Sequence, residues 1–228
     1  MIEQATSSSW RISSTSCDGA RPWENENRMT THTALEIEKL LPATFTAPGL
    51  SEAEFLKLCA RFPDAMVEYT SDGRVIVMPP TDPESGERVG EAFGQLRDWT
   101  RKQGNGHACG PDTGFRFRDG SRRSPDAAWF DEARWRAAKK PRVRFPVFAP
   151  DFVMEVRSPD DRIGPLREKM QEYIANGVQL GWLIDPMERT VTIYSGGQPP
   201  RVLKNPATVA GEGPVAGFVL SLERILNK

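Results

Sequence analysis

The spacing of hydrophobic and polar positions changes several times along the chain, and each change predicts an element. In GLSEAEFLKLCARFP, Phe55, Leu58 and Cys59 share one face of a helix. Ser51 can cap that helix, and Glu54, three residues on, completes a capping box. MVEYTSDGRVIVMPP holds two β-rich runs around Ser71-Asp72-Gly73 and predicts a hairpin. ESGERVGEAFGQLRDWTRKQG sets Val89, Ala92, Phe93, Leu96 and Trp99 at helical spacing, a stripe to be buried against a sheet. HACGPDTGFRFRDGSRRSPDAAWF predicts two strands joined by an Asp-Gly turn, and DEARWRAAKK a short helix leading into a basic, proline-containing loop. PDFVMEVRS is then a strand, DRIGPLREKMQEYIANG a helix closed by Gly177, LGWLID a short buried strand and RTVTIYSGGQPPRVL a hairpin, before GFVLSLERIL ends the chain. Strands that alternate with helices and finish in hairpins predict an α/β fold, a mixed sheet flanked by helices.

Residues 1–45 break this pattern. TSSSWRISSTSCDGARPWENENR is polar and aperiodic, which predicts a disordered or weakly docked extension ahead of one domain over 46–228. Ordinary sequence begins at Met29, a candidate biological start.

One strand is anomalous. APDFVMEVRSPDD alternates Phe152, Met154, Val156 and Ser158 on one face with Asp151, Val153, Glu155 and Arg157 on the other. The first face reads as mostly core. The second carries charge, which is costly to bury unless paired or metal-bound. Asp151 and Glu155 lie about 13 Å apart on an extended chain, too far to share an ion, so Asp151 reads as structural. Glu155 therefore needs a partner from a neighbouring strand, about 4.8 Å away. Asp126, at the start of the short apolar strand in SRRSPDAAWF, offers one, and Arg157 could reach the same pocket.

Composition narrows the chemistry. The chain is 38% hydrophobic and 27% charged, with no apolar run long enough to span a membrane and no leader with a basic start and apolar core. Cys17, Cys59 and Cys109 form no paired framework, which suits a reducing cytoplasm. With only His32 and His107 besides, a His/Cys zinc site is poorly supplied, and a bound metal would be a hard ion such as Mg²⁺ or Mn²⁺ on carboxylates. Net charge is −1, but unevenly spread. Arg116 to Arg144 holds ten Lys/Arg against four Asp/Glu, whereas Glu52 to Asp98 holds ten acids against five bases. A basic groove facing an anionic partner and a set of solvated basic loops both fit that asymmetry.

SPDAAWF, PDFVMEVRSPDDR and REKMQEYIANGVQLGWLIDP together resemble the Uma-two family of restriction-endonuclease-like proteins in the PD-(D/E)XK nuclease superfamily, over about residues 50–222. The resemblance implies a restriction-endonuclease-like α/β fold with a central mixed sheet, a carboxylate-bound Mg²⁺ and a DNA substrate. By position, Asp126 matches the family's metal-binding Asp and Glu155 its second acid. Arg157 stands where the superfamily pattern has lysine, Lys169 matches a helical lysine able to take over that cation's role, and Glu68 matches an early glutamate counted with the site. ESGERVG lacks a histidine that some members carry.

The resemblance thus implies a metal-dependent endonuclease that hydrolyses DNA phosphodiester bonds, and a homodimer would suit such an enzyme if it cuts both strands of a duplex. Arg157 stays protonated and could grip a phosphate oxygen; Lys169, beside the stripe of Leu166, Met170 and Tyr173, should lean towards the sheet. Plainer readings stand beside each role: a turn aspartate at 126, an edge-strand ion pair of Glu155 and Arg157, a snorkelling Lys169, a solvated Glu68. Trp129, Trp135 and Trp182 read as packing residues. A nuclease-like fold that only binds nucleic acid or protein, and a glycosidase built on the two carboxylates, are the competing functions.

Overall fold

In a computed structural model, residues 11–12, 41–141 and 143–227 are described. Most of the expected N-terminal extension, Met29 included, lies outside them. The chain divides into two units, Met1–Pro80 and Thr81–Lys228.

The first unit contains β1 (Arg11–Ile12), β2 (Ala43–Thr46), helix α1 (Glu52–Cys59), β3 (Met66–Tyr69) and β4 (Arg74–Met78). β1 pairs β2, β2 pairs β4 and β4 pairs β3, all antiparallel. The capping box forms as the sequence predicts: Glu54 N–H donates to Ser51 Oγ at 3.3 Å, and Ser51 N–H to Glu54 Oε2 at 2.9 Å. Phe55 and Leu58 of α1 pack with Phe45, Phe62, Val75 and Val77. The hairpin turn needs glycine at position 73, where φ is +87° and a Cβ would sit 2.9 Å from Pro48 Cα.

The second unit begins with α2 (Pro83–Gln103), capped by Asp82 and ended by Gly104. β5 (Gly106–Cys109), β6 (Phe115–Arg116), β7 (Arg122–Arg123), β8 (Ala127–Asp131) and α3 (Glu132–Ala138) follow. Next come β9 (Phe152–Val156), α4 (Ile163–Ala175), β10 (Leu180–Asp185), β11 (Thr190–Ser195) and β12 (Arg201–Lys204). A small β13–β14 pair (Thr208–Ala210, Val219–Ser221) and α5 (Glu223–Leu226) complete it. The main sheet runs β12-β11-β10-β9-β8-β5. Only β9 and β10 are parallel, joined through α4, because parallel neighbours need a crossover.

β9 is an inner strand, and both of its faces are core. Phe152, Met154 and Val156 pack with Trp129, Trp182 and the α2 residues Ala92 and Leu96. Val153 packs on the other side with Met170 and Tyr173 of α4, Phe117 and Leu183. The expectation of a single apolar face is corrected here: β9 is covered by helices on both sides, as inner strands beside a parallel crossover are. Trp129 and Trp182 are buried, and Trp135 packs on Phe130 and Phe148, as packing residues should.

The two strands expected in 107–130 are also corrected, to four. The Asp-Gly turn exists, with Gly120 at φ +89°, but its hairpin is only the short β6–β7 pair. Pro111 and Pro125 explain the division, since proline has no N–H for a ladder.

Candidate functional site

β8 and β9 pair Ala128 with Val153 and Ala127 with Met154. One step further along this antiparallel register, Asp126 stands opposite Glu155, where Cβ atoms lie about 5 Å apart. Alternation puts both on the α4 side of the sheet. The Val156 N–H donates to Asp126 Oδ2 at 2.7 Å, so the carboxylate substitutes for a backbone acceptor where β8 begins. Pro125 just before it keeps the strand from starting sooner.

Glu155 is 4% exposed. Such a carboxylate requires compensation, and α4 supplies it. Lys169 Nζ lies 3.0 Å from Glu155 Oε2 and 2.9 Å from Oε1, and the Tyr173 hydroxyl donates to Oε1 at 2.7 Å. Lys169 also donates to the Ser124 carbonyl at 3.4 Å, two residues before Asp126. Lys169 and Tyr173 are four residues apart, one turn of helix, and so reach the same carboxylate. Asp126, Glu155 and Lys169 are thus brought together within the second unit.

Arg157 has its own partners. It follows β9, opposite Asp185 at the end of β10, and its guanidinium donates to Asp185 Oδ2 at 2.9 Å and to the Asp161 carbonyl at 3.1 Å. Glu68 belongs to the first unit, where it is buried on β3 opposite Ile76. Asp151 sits at the far end of β9 and ties strands together: its carboxylate accepts from Asp131 N–H at 3.0 Å and from Arg134 and Gln179.

Three contributors escaped the sequence reading. Tyr173 counted only as an apolar stripe residue, yet its ring packs on Phe117 while its hydroxyl serves Glu155. Asp185 becomes Arg157's partner only through the β9–β10 register. Glu172, on α4 beside Tyr173, takes a two-pronged bond from Arg123 of β7 at 2.9 and 2.6 Å. The same hairpin is tied to the end of α4 by Asn176, which donates to Asp119 Oδ2 at 2.7 Å. Burial pushes the Asp119 pKa up, but hydrogen bonds from Asn176 and Ser121, with the Arg123 charge, more than reverse this and leave it lowered. Burial raises the Cys109 thiol despite an opposing hydrogen bond with Thr113, which argues against a thiolate nucleophile there.

A family model described as "Putative restriction endonuclease" matches residues 52–223. The chain belongs to the Uma2 family. That Uma2 match takes in Glu68, Asp126, Glu155, Arg157 and Lys169. Among solved structures, the chain is similar to a "putative nuclease belonging to DUF820" from Anabaena variabilis, with 25% identity and a TM-score of 0.64, over 76% of this chain and 96% of that one. The fold is accordingly restriction-endonuclease-like, a mixed α/β architecture. Among curated proteins, none matches the chain. No described helix is long and apolar enough to cross a membrane.

Restriction-endonuclease-like families generally depend on a divalent metal. Among the described residues, no group of three or more His, Cys, Asp or Glu side chains could hold an ion. A facing pair of carboxylates nonetheless fits Mg²⁺, which usually keeps several waters and takes one or two carboxylates with substrate phosphate. The oxygen donors suit a hard ion.

Proposed function

We propose that this Uma2 chain is a Mg²⁺-dependent endonuclease that hydrolyses DNA phosphodiester bonds, with Asp126 and Glu155 as the metal ligands. The supporting observation is the register that sets Asp126 across from Glu155 on neighbouring inner strands, with a lysine bonded to the second acid. When bound, the ion would polarise a phosphoryl oxygen and lower the pKa of a coordinated water.

The chain's own groups do the rest. Asp126 is fixed by the Val156 N–H and cannot swing freely. Tyr173 holds one oxygen of Glu155 and so aims the carboxylate. Lys169, held by Glu155 and the Ser124 carbonyl, is a donor for charge developing on phosphate oxygens. Arg157, engaged with Asp185, supports the strand ends or meets phosphate at the rim. Metal-dependent cleavage of plasmid DNA tests the proposal. Asp126→Ala and Glu155→Ala should each abolish it while circular dichroism stays unchanged, and full activity in either would remove the site.

A second reading is a nuclease-like module that binds nucleic acid without cutting it. One observation favours it: both Glu155 oxygens already accept protein hydrogen bonds. Calorimetric titration with Mn²⁺ separates the two, since the binding module would show salt-sensitive DNA affinity and no metal affinity.

A further inference from the structure

The fold sorts the nine described basic residues between Arg116 and Arg144. Arg123 is fastened to Glu172, Arg118 to the Ala175 carbonyl, Arg134 to Asp151 and Arg136 to Glu132. Arg116 and Arg122 lie in the β6–β7 hairpin, half-buried and buried. Lys139, Lys140 and Arg144 differ: all three are exposed, and among the described residues none forms an ion pair. The acids of the region are committed elsewhere. Asp119 binds Asn176, Asp126 accepts from Val156, Asp131 caps α3, and Glu132 holds Arg136.

The exposed cations occupy one segment, which is tethered beside the site. Lys139 closes α3, and the chain returns at Val147, which bridges to Arg116 of β6. Between them, Phe145 packs over Gly114. A Cβ there would meet the Phe145 ring at 3.4 Å and Ser124 Oγ at 3.7 Å. The ring therefore lies next to Ser124, whose carbonyl accepts from Lys169. Arg144 adjoins that ring, with its guanidinium carbon 5.4 Å from the centroid. The Arg144 end of this basic segment is thus anchored at the Ser124 side of the Asp126–Glu155–Lys169 cluster.

We propose that Lys139, Lys140 and Arg144 form a strap that grips the sugar–phosphate backbone of duplex DNA beside the Asp126–Glu155 pair; this rests on the nuclease reading above. Solvated cations of this kind bind phosphates by releasing condensed counterions, so their signature is salt dependence.

Fluorescence anisotropy with a labelled duplex, over a series of KCl concentrations and without divalent ion, reads it out on the full chain. In Lys139→Ala/Lys140→Ala/Arg144→Ala, the slope of log K against log salt should become shallower by roughly 2 to 3, at about 0.9 per phosphate contact. The charge-preserving Lys139→Arg/Lys140→Arg/Arg144→Lys should keep the wild-type slope. An unchanged slope in the alanine variant, or no salt-sensitive duplex binding by the wild type, overturns the strap. Cleavage by Glu155→Gln, measured alongside, reports separately on the nuclease reading: undiminished cutting there would fault the metal site and leave the slope comparison intact.

Discussion

Lys169 reaches both oxygens of Glu155, at 3.0 and 2.9 Å, from a helix that starts seven residues after the strand ends. The two side chains are only 12% and 5% exposed. Removing the cation alone leaves a buried carboxylate short of compensation. Lys169→Met should cost about 3–5 kcal/mol in urea unfolding, and Lys169→Met/Glu155→Leu should recover most of that loss, because an apolar pair has no charge to desolvate.

Tyr173→Phe separates aiming from packing. The ring stays in the core and only the hydroxyl is lost. Stability should fall by about 1–3 kcal/mol, the cost of leaving a buried acceptor one donor short. If Tyr173 orients Glu155 for chemistry, metal-dependent cleavage should lose kcat with KM little changed, as steady-state kinetics would show.

The Arg123–Glu172 bond pins the β6–β7 hairpin to α4, with side chains 7% and 18% exposed. Arg123→Ala should destabilise by about 3–5 kcal/mol. A double-mutant cycle with Glu172→Ala should return a coupling energy of about 0.5–3 kcal/mol. A coupling near zero would mean that the hairpin is held by its phenylalanines alone.

Asp119 gives a pH signature. Its folded-state pKa lies below the ordinary 3.8, so the folded state favours the charged form. Its contribution to stability is then complete above the unfolded value and disappears as pH falls through the lower, folded one. The stability difference between wild type and Asp119→Ala should be flat near neutrality and shrink in acid below 3.8. Chemical denaturation across that range checks the sign.

Much of this architecture was legible in the sequence because local signals agreed with the tertiary structure. Ser51 and Glu54 announced α1, and Gly73, Gly120 and Gly177 sit at positive φ where turns or a helix end were expected. The stripe of Leu166, Met170 and Tyr173 placed Lys169 on the sheet-facing side of α4. What stayed hidden depends on register and on atoms beyond the apolar pattern. FVMEV reads the same whether one or both faces are covered, and nothing local says that Asp185 will stop opposite Arg157. Tyr173 combines an apolar ring with a polar tip, and periodicity sees only the ring. In 107–130 the alternating pattern runs across Pro111 and Pro125, and alternation alone carries no mark of the ladder breaks that those prolines impose.

The bond from the Val156 amide to Asp126 has a consequence for how the protein tolerates change. A proposed metal ligand is gauged by strand alignment itself, and a slip of one residue would turn Asp126 towards the opposite layer. Substitutions under Trp182 or Phe152, well removed from any reacting atom, should therefore blunt the chemistry at doses of damage too small to melt the domain.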